Sequence, residues 1–378
     1  MTNRLKVMTV VGTRPEIIRL AATIKRLDTY TDHVLVHTGQ NYDYELNEVF
    51  FEDLGLRRPD HFLNADTSSL GAVLGSILTK VEAVLKAEAP DAVVVLGDTN
   101  SCISALMAKR MKIPVYHMEA GNRSFDENVP EETNRRMVDH ISDYNLVYTE
   151  HARRNLLAEG VHPSRILLTG SPMREVLESN AVAIAASTIL QQQGLNERGY
   201  FLVSLHREEN VDNPARLEAV LDALGQLAAA YDLPVLVSTH PRTLQRLEGQ
   251  SEEVKSKLVF HAPFGFNDYV QLQQSAKLVL SDSGTISEES SIVGFPAVSL
   301  RDAIERPEAI DTGVTITCGV EAESVLGAVA LTLLQFEEDG PASVPAEYQV
   351  RDASRRTVSF IHSTAATHHA RSGIRTVG

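Results

Sequence analysis

The stretch that decides the fold is residues 113–123, which read IPVYHMEAGNR, together with residues 130–135, which read PEETNR. The apolar run Ile113–Tyr116 predicts a buried strand of a parallel sheet. Glu119 follows that strand, at the edge of the sheet where open α/β folds bind ligands. The Pro-Glu pair that opens the second segment is typical of a first helical turn. These residues bring several carboxylates to one place, which favours proton transfer over simple binding.

Outward from this stretch, short apolar runs alternate with helical patterns along almost the whole chain. In the first half, the predicted strands are Lys6–Val11, His33–His37, Ala92–Leu96, Pro114–Met118 and Tyr144–Tyr148. The helices predicted between them are Pro15–Leu27, Ser69–Ala87, Ser101–Met111 and Glu131–Ile141. In the second half, the predicted strands are Phe201–Leu205, Pro234–Ser238, Lys257–Phe260, Leu278–Ser281 and Pro296–Leu300. This alternation predicts doubly wound parallel sheets.

Two successive sheets predict an α/β protein with two Rossmann-like domains that face each other across a cleft. We expect an N-terminal domain over residues 1–170, which carries the candidate acid/base carboxylates, and a C-terminal domain over residues 171–350. A helix between Thr169 and Gly199 is expected to connect them. A lone helical pattern in residues 351–378 could pack on either domain by periodicity alone, and we expect it to return to the N-terminal one.

Composition and charge limit the classes of function. The chain has 378 residues and a formal net charge of −15, which disfavours a nucleic-acid surface and binding to anionic membranes. Its two cysteines, Cys102 and Cys318, give neither a disulfide framework nor a zinc spacing, and buried thiols are expected. No segment is as long as a membrane span, and the first apolar run is too short for a signal peptide, so a cytoplasmic protein is expected.

Two turns of the first half carry candidate ligand groups. Residues 12–16 read GTRPE, where the glycine, the helix-starting proline and Arg14 predict an anion site. The alternative is an ordinary turn with a solvated arginine, but an arginine opposes the macrodipole at a helix start and needs another reason to be there. Asp98 could cap the next helix, but Asn100 and Ser101 lie nearer to that helix, which favours a site role for Asp98.

Histidines follow two strands of the second half. His206 stands directly after the first of these strands, beside Arg207, and histidine is the side chain that most easily changes its charge near neutral pH. The alternative is a structural histidine. The sequence THPR at residues 239–242 repeats the arrangement after the next strand and makes His240 a second candidate.

A turn rich in small residues predicts a phosphate site. Ser283, Gly284 and Thr285 stand at a helix start, where backbone N–H groups can bind phosphate oxygens. Glu289, one turn into that helix, could accept hydrogen bonds from a ribose diol. Arg301 lies in a further charged loop after a strand, where solvated ion pairs are the alternative.

Taken together, these motifs resemble those of the non-hydrolysing UDP-N-acetylglucosamine 2-epimerases over nearly the full length of the chain. They stand in that family's order at residues 12–16 (GTRPE), 97–99 (GDT), 119–121 (EAG), 130–135 (PEETNR), 206–207 (HR), 281–284 (SDSG) and 305–308 (ERPE). The resemblance implies a fold of the glycosyltransferase-B type, whose second domain binds UDP, and a homodimer. It also implies a UDP-N-acetylhexosamine substrate, with neither a metal nor an organic cofactor.

Carried over to the matching positions, the resemblance implies that Asp98, Glu119 and Glu131 are the acid/base carboxylates. The reaction it implies eliminates UDP to give a glycal and adds UDP back after protonation from the opposite face. His206 is then expected to hydrogen-bond the diphosphate. The expected substrate-binding residues are Arg14, Arg123, Arg135, Arg207, His240, Phe266, Ser283, Gly284, Thr285, Glu289 and Arg301.

A finer resemblance points to the branch that converts UDP-2-acetamido-2,6-dideoxy-L-talose to UDP-N-acetyl-L-fucosamine for surface polysaccharides. The residues that carry it are 37–47, 122–126 and 207–212. The commoner enzymes have a second Gly where Thr285 stands, a Lys where Arg19 stands and a His where Asn41 stands. Because that last region helps the bacterial enzymes bind a second, activating nucleotide sugar, such activation is not expected here.

The same motifs leave four other interpretations. A UDP-N-acetylglucosamine 2-epimerase that makes UDP-N-acetylmannosamine is the nearest alternative. A glycosyltransferase that uses a UDP-sugar donor on the same fold is more distant, because a transferase usually needs fewer acids. A hydrolysing epimerase would release UDP with its product. A catalytically silent nucleotide-sugar sensor is disfavoured because the acids are intact.

Overall fold

The computed structural model describes residues 4–39, 44–239, 258–303 and 306–375. Two of the positions singled out from the sequence, Asn41 and His240, lie outside these ranges. The chain forms two compact units. Unit 1 contains Met1–Ser179 and Glu347–Gly378, and unit 2 contains Asn180–Ala346. Each unit has its own parallel sheet, which confirms the predicted α/β class.

Unit 1 is built on a seven-stranded parallel sheet. Its strands are β1 (Lys6–Val11), β2 (Asp32–His37), β3 (His61–Phe62), β4 (Ala92–Leu96), β5 (Val115–Met118), β6 (Tyr144–Val147) and β7 (Ile166–Leu168). They lie in the order β3-β2-β1-β4-β5-β6-β7, so the direction of strand addition reverses between β1 and β4. In open α/β sheets the carboxyl ends of the strands form a ligand crevice at such a reversal.

Helices connect the strands of unit 1. They are α1 (Arg14–Tyr30), α2 (Tyr44–Asp53), α3 (Leu70–Glu88), α4 (Ser104–Arg110), α5 (Pro130–Ile141), α6 (Glu150–Ala158) and α7 (Met173–Ala185), with short 3-10 helices at Asn100–Ile103 and Pro163–Arg165. Hydroxyl groups cap two of them, since Ser69 Oγ accepts Ala72 N at 3.1 Å and Thr149 Oγ1 accepts Ala152 N at 3.2 Å. Helix α7 continues into unit 2.

Unit 2 repeats the design with six parallel strands. These are β8 (Phe201–Leu205), β9 (Val235–Thr239), β10 (Leu258–His261), β11 (Leu278–Ser281), β12 (Ala297–Ser299) and β13 (Thr315–Thr317). Their order is β10-β9-β8-β11-β12-β13, with the reversal between β8 and β11. Along β8, Phe201 and Val203 enter one hydrophobic core and Leu202 enters another. Both faces of the strand are buried, which explains its continuous apolar run.

The helices of unit 2 flank this sheet. They are α8 (Ile189–Gln192), α9 (Glu208–Val211), α10 (Pro214–Tyr231), α11 (Phe266–Ser275), α12 (Ile286–Val293), α13 (Pro307–Asp311) and α14 (Ala322–Asp339). A 3-10 helix at Ala346–Tyr348 returns the chain to unit 1. No helix among the residues described is long and apolar enough to cross a membrane.

The last segment of the chain packs on unit 1. It contains α15 (Ala353–Thr364), a 3-10 helix at Ala365–Thr367 and α16 (His368–Arg371). Helix α15 lies against α1, where Arg26 Nε donates to Ser354 Oγ at 3.0 Å. Its far end reaches β5, since the hydroxyls of Tyr116 and Thr364 lie 2.7 Å apart. The segment is therefore part of the core of unit 1.

Every strand named from the sequence is present, within one residue of its predicted ends. The sequence analysis predicts neither the strands β3, β7 and β13 nor the helices α2, α6, α13 and α14. Those strands have only two or three residues, too few to give a hydrophobic pattern. The helix predicted over Ser101–Met111 begins instead with the 3-10 turn at Asn100–Ile103, before α4 starts at Ser104.

Candidate active site

Two acids of unit 1 lie on neighbouring turns at the carboxyl edge of its sheet. Leu96 of β4 pairs with Met118 of β5, and Gly97 N donates a hydrogen bond of 2.9 Å to Met118 O. Asp98 and Glu119 come directly after these positions in the chain. The parallel pairing of two strands therefore brings two carboxyl-bearing turns side by side.

Asp98 is held by α5. Arg135 donates to Asp98 Oδ2 from Nε at 3.0 Å and also from Nη2, while Asn134 Nδ2 donates to Asp98 O at 3.0 Å. The 3-10 helix that follows has Thr99 at its N-cap position and no side-chain capping bond. The carboxylate of Asp98 therefore pairs with an arginine and does not cap a helix. Arg135 is almost fully buried, and its role in binding substrate stays a prediction.

Glu119 has a backbone conformation that side-chain-bearing residues rarely adopt. Its φ of 62° lies in the left-handed region, where a non-glycine residue is held by its surroundings and is often functional. The buried Arg19 donates from Nη1 to Glu119 Oε2, and Asn122 Nδ2 lies 3.5 Å from Glu119 Oε1. The sequence singled out Arg19 only as a departure from the usual lysine, although a planar guanidinium orients a carboxylate differently from an ammonium.

The third acid, Glu131, lies in the first turn of α5, where the partial positive charge of a helix N-terminus favours carboxylates. Its side chain is half-buried and has no hydrogen-bond partner in the part of the chain that the structure describes. The next residue, Glu132, is buried and accepts bonds from Ser124 N and Arg135 Nη1 at 3.1 and 2.7 Å. Burial acts to raise the pKa of Glu132, but donors from Ser124, Arg136 and Arg135 hold it below its ordinary value. Glu132 thus anchors the loop, and Glu131 stays accessible to a ligand.

The turn between β1 and α1 carries Arg14. This residue is the first of α1 and is half-buried, with its guanidinium carbon 5.7 Å from the centroid of the Phe50 ring. Pro15 follows it within the first helical turn, as expected from its fixed φ. The structure places Arg14 at a sheet edge and a helix start, and its binding to an anion stays a prediction.

Glu16 joins this turn to the turn that carries Asp98. Its Oε2 accepts Gly12 N at 3.0 Å, Thr13 Oγ1 at 2.8 Å and Thr99 Oγ1 at 3.0 Å, and its Oε1 accepts Ser101 Oγ. Burial raises the pKa of Glu16 to about 7, although these donors oppose the rise. The sequence does not mark Glu16 as a candidate, because an acid in a first helical turn looks like an ordinary partner of the macrodipole.

Arg123 lies in the interior of unit 1. Its Nη1 donates to Asp139 Oδ2 at 2.7 Å, and its Nε and Nη2 donate to the carboxylate of Glu159 at 2.8 and 2.7 Å. Its side chain in these ion pairs is fully buried. These contacts indicate that Arg123 holds the loop after β5, while direct binding to substrate stays a prediction.

In unit 2, a buried carboxylate orients the candidate histidine. His206 follows β8, and Asp282 follows the neighbouring strand β11. Asp282 Oδ1 lies 3.0 Å from His206 Nδ1, and Oδ2 accepts Arg207 N at 3.0 Å and Asn210 Nδ2 at 3.2 Å. Burial acts to raise the pKa of Asp282, but His206, Arg207 N and Asn210 hold it below its ordinary value. Because the His206 side chain is 43% exposed, its Nε2 remains free to meet a ligand.

The turn after β11 carries the three residues predicted to bind phosphate, and that role stays a prediction. Ser283 and Thr285 approach each other at 2.9 Å between their hydroxyls, and Ser283 Oγ accepts Thr285 N at 3.3 Å. With Gly284 between them, all three residues are half-buried and directly precede α12. Asp282 links this turn to the one that carries His206 and Arg207, so unit 2 brings five of the predicted residues together.

The other predicted residues of unit 2 lie around α12. Glu289 accepts a bond from Gln273 Nε2 at 2.5 Å, and Phe266 is buried at the start of α11. Arg301 follows β12 and is 2% exposed. The binding roles of Phe266 and Arg301 stay predictions. Among the described residues, no group of three His, Cys, Asp or Glu side chains is placed to hold a metal.

Comparison with known proteins identifies relatives along nearly the whole chain. The family model described as UDP-N-acetylglucosamine 2-epimerase matches residues 25–362. A UDP-N-acetylglucosamine 2-epimerase of Methanocaldococcus jannaschii is 39% identical over 339 residues, which cover 87% of this chain and 92% of the relative.

Solved structures agree with the sequence comparison. The structure of UDP-N-acetylglucosamine 2-epimerase from Rickettsia bellii is similar with a TM-score of 0.92 and 45% identity, covering 98% of this chain and 100% of that one. The M. jannaschii enzyme in complex with UDP-GlcNAc and UDP is similar with a TM-score of 0.88 and 34% identity, covering 95% of this chain and 100% of that one.

The burial of Glu16 predicts a pH-dependent stability. Its folded pKa of about 7 lies above the ordinary 4.5, so between these values the folded chain keeps a proton that the unfolded chain releases. Rising pH through this window should therefore cost the folded state roughly 3 kcal/mol, at about 1.4 kcal/mol per pKa unit. Glu16→Gln keeps an acceptor for Gly12 N and Thr13 and removes the titration. In urea unfolding from pH 4.5 to pH 8, the free energy of unfolding of the natural chain should fall relative to that of Glu16→Gln. A difference between the two proteins that stays constant with pH would contradict the assignment.

Proposed function

The chain belongs to the UDP-N-acetylglucosamine 2-epimerase family, and we propose that it inverts C2 of a UDP-N-acetylhexosamine without hydrolysing it. The observation that carries the proposal is the placement of Asp98 and Glu119 on adjoining turns. The helix that begins with Pro130 and Glu131 contacts Asp98 through Asn134 and Arg135. Carboxyl groups grouped in this way suit a reaction that removes a proton and returns one.

The chemistry requires more than one acid. The C2 hydrogen has no neighbouring carbonyl group, so its direct removal is too costly. Elimination solves this problem: a base takes the C2 proton while the bond between C1 and the UDP oxygen breaks, giving a glycal and UDP. A proton is then delivered to C2 from the opposite face, and the UDP oxygen re-forms the bond to C1. Acid and base groups are therefore needed on both faces of the ring, and Asp98, Glu119 and Glu131 are the proposed set.

Residues of unit 2 are proposed to hold the UDP. The departing diphosphate gains negative charge, which donors in fixed positions stabilise. Asp282 holds His206 through Nδ1, and this leaves Nε2 to hydrogen-bond a phosphate oxygen. Ser283, Gly284 and Thr285 would offer backbone and hydroxyl donors at the start of α12. Glu289 is proposed to accept from the ribose.

For the sugar, we propose UDP-2-acetamido-2,6-dideoxy-L-talose, with UDP-N-acetylglucosamine as the alternative. The motifs at residues 37–47, 122–126 and 207–212 support the 6-deoxy-L sugar. The names of the relatives support UDP-N-acetylglucosamine for those proteins. A homodimer and a cytoplasmic location stay predictions from the sequence.

Glu131→Gln tests the acid/base role with little risk to folding, because the Glu131 side chain has no partner among the described residues. The change keeps the size of the side chain and removes its acid, so kcat should fall by ~10² or more. UDP affinity, measured by calorimetry, should be unchanged. Glu127→Gln, at an exposed acid in the loop just before α5, is the matched control. An unchanged kcat in Glu131→Gln would exclude this residue from proton transfer.

The reaction in deuterated water tests the elimination route. Because C2 loses its proton to the protein and regains one from a group that exchanges with solvent, the product should carry deuterium at C2. Mass spectrometry and proton NMR measure this directly. A product without deuterium would exclude the route, and free UDP that accumulates in proportion to the product would identify a hydrolysing enzyme.

Assays with the two UDP-sugars in parallel, with no acceptor present, test the substrate. The 6-deoxy-L-talose derivative should show a kcat/KM higher by about 10-fold or more, since a methyl or hydroxyl difference is worth ~1–3 kcal/mol in an apolar pocket. A higher kcat/KM for UDP-N-acetylglucosamine would establish the alternative instead. Conversion without an acceptor would also exclude a glycosyltransferase.

A further inference from the structure

A buried carboxylate on α5 connects the three turns that carry the proposed acids. Asp139 lies two helical turns after Glu131 and is fully buried. Its two oxygens lie 3.2 and 3.1 Å from Gly121 N, in the turn that carries Glu119. Asp139 thus ties the helix of one proposed acid to the turn of another.

His117 extends this connection to the third acid. Its ring is fully buried on β5, with Nδ1 2.8 Å from Asp139 Oδ1. Its Nε2 donates to Gly97 O at 2.7 Å, in the turn that carries Asp98. His117 and Asp139 therefore contact the two acid-bearing turns, through Gly97 O and Gly121 N, although neither residue is itself a proposed acid.

The turn that Asp139 holds is strained and closely packed. Glu119 has a φ of 62° and Gly121 a φ of 81°, so two residues out of three are left-handed. A Cβ on Gly121 would lie 2.4 Å from Ala152 O, which shows how closely the turn is pressed against α6. Left-handed residues other than glycine persist only where their surroundings fix them. Two bonds hold Gly121 in this turn: its N donates to Asp139, and Asn155 Nδ2 of α6 donates to its O at 3.0 Å.

We infer that Asp139, acting through Gly121 and His117, is a positioning residue that sets the geometry of Glu119 and Asp98 for the C2 proton transfers. The inference rests on the proposed epimerase function. It assigns Asp139 no contact with substrate. Misplacing a catalytic group by about 1 Å can cost ~10²-fold in rate, and the bond to Gly121 N is in a place to prevent such a shift.

The test compares Asp139→Ala with Asp139→Asn. Alanine removes every contact of the carboxylate, and kcat should fall about 10- to 100-fold with KM and UDP affinity little changed. Asparagine is nearly the same size and can still accept from Gly121 N, so it should restore most of the lost kcat. If Asp139 served only to neutralise Arg123, asparagine would fail as alanine does, and the inference would be overturned.

A matched control is the other buried carboxylate that binds β5. Asp143 accepts Val115 N at 3.0 Å, at the end of the strand away from Glu119. Asp143→Ala should lower the midpoint of urea unfolding while kcat per folded molecule stays within about threefold. An equal loss of kcat in both alanine variants would show a general structural effect and overturn the inference.

A double-mutant cycle separates positioning from stability. In a Glu119→Gln background, Asp139→Ala should cost much less in kcat than in the natural chain, because the acid it positions is already disabled. Equal costs in both backgrounds would overturn the inference.

If Asp139→Ala does not fold, His117→Phe gives the same test: the ring volume stays, the bond to Gly97 O is lost, and kcat should fall with UDP affinity kept. A natural chain that epimerises no UDP-N-acetylhexosamine would instead overturn the proposed function.

Discussion

Parallel pairing of β4 with β5 is the constraint on which the candidate site of unit 1 depends. The register that sets Leu96 against Met118 makes the two following turns neighbours. Parallel strands end at the same edge of the sheet. The pairing therefore places Asp98 and Glu119, which are 21 positions apart in the chain, on adjoining turns. The reversal of strand order between β1 and β4 then leaves room beside them for the turn that carries Arg14.

Three of the turns at the strand ends are each held by a buried carboxylate that accepts backbone N–H groups. Glu16 binds Gly12 N, Asp139 binds Gly121 N, and Asp282 binds the backbone N–H groups of His206 and Arg207. Burying a carboxylate is costly unless hydrogen bonds and opposite charges compensate it. The three cases compensate differently: hydroxyls surround Glu16, whereas Asp139 and Asp282 have cationic or histidine partners. In each case the free-energy cost of burying the carboxylate is offset at a turn whose backbone conformation the site depends on.

The sequence predicts the strands and the residues at their ends, because apolar runs and turn residues are local signals. It does not predict the carboxylates that hold the turns. Glu16 reaches Ser101 and Asp282 reaches His206, and these pairs are 85 and 76 residues apart. Such contacts exist only after the strands have paired. For the same reason the sequence does not reveal the role of Arg19. It is named there only because related enzymes have a lysine at that position, and in the structure it forms an ion pair with Glu119.

The C-terminal helix bears on the candidate site through α1, although it is distant from it in sequence. Helix α1 carries Arg14, Glu16 and Arg19 in its first two turns, so the direction of its axis decides where these side chains lie. Helix α15 packs along α1, and Ser354 also donates from its backbone N to Glu175 of α7 at 3.0 Å. A chain that leaves unit 1 at α7 and returns to support α1 therefore makes the geometry of the acids depend on its last segment.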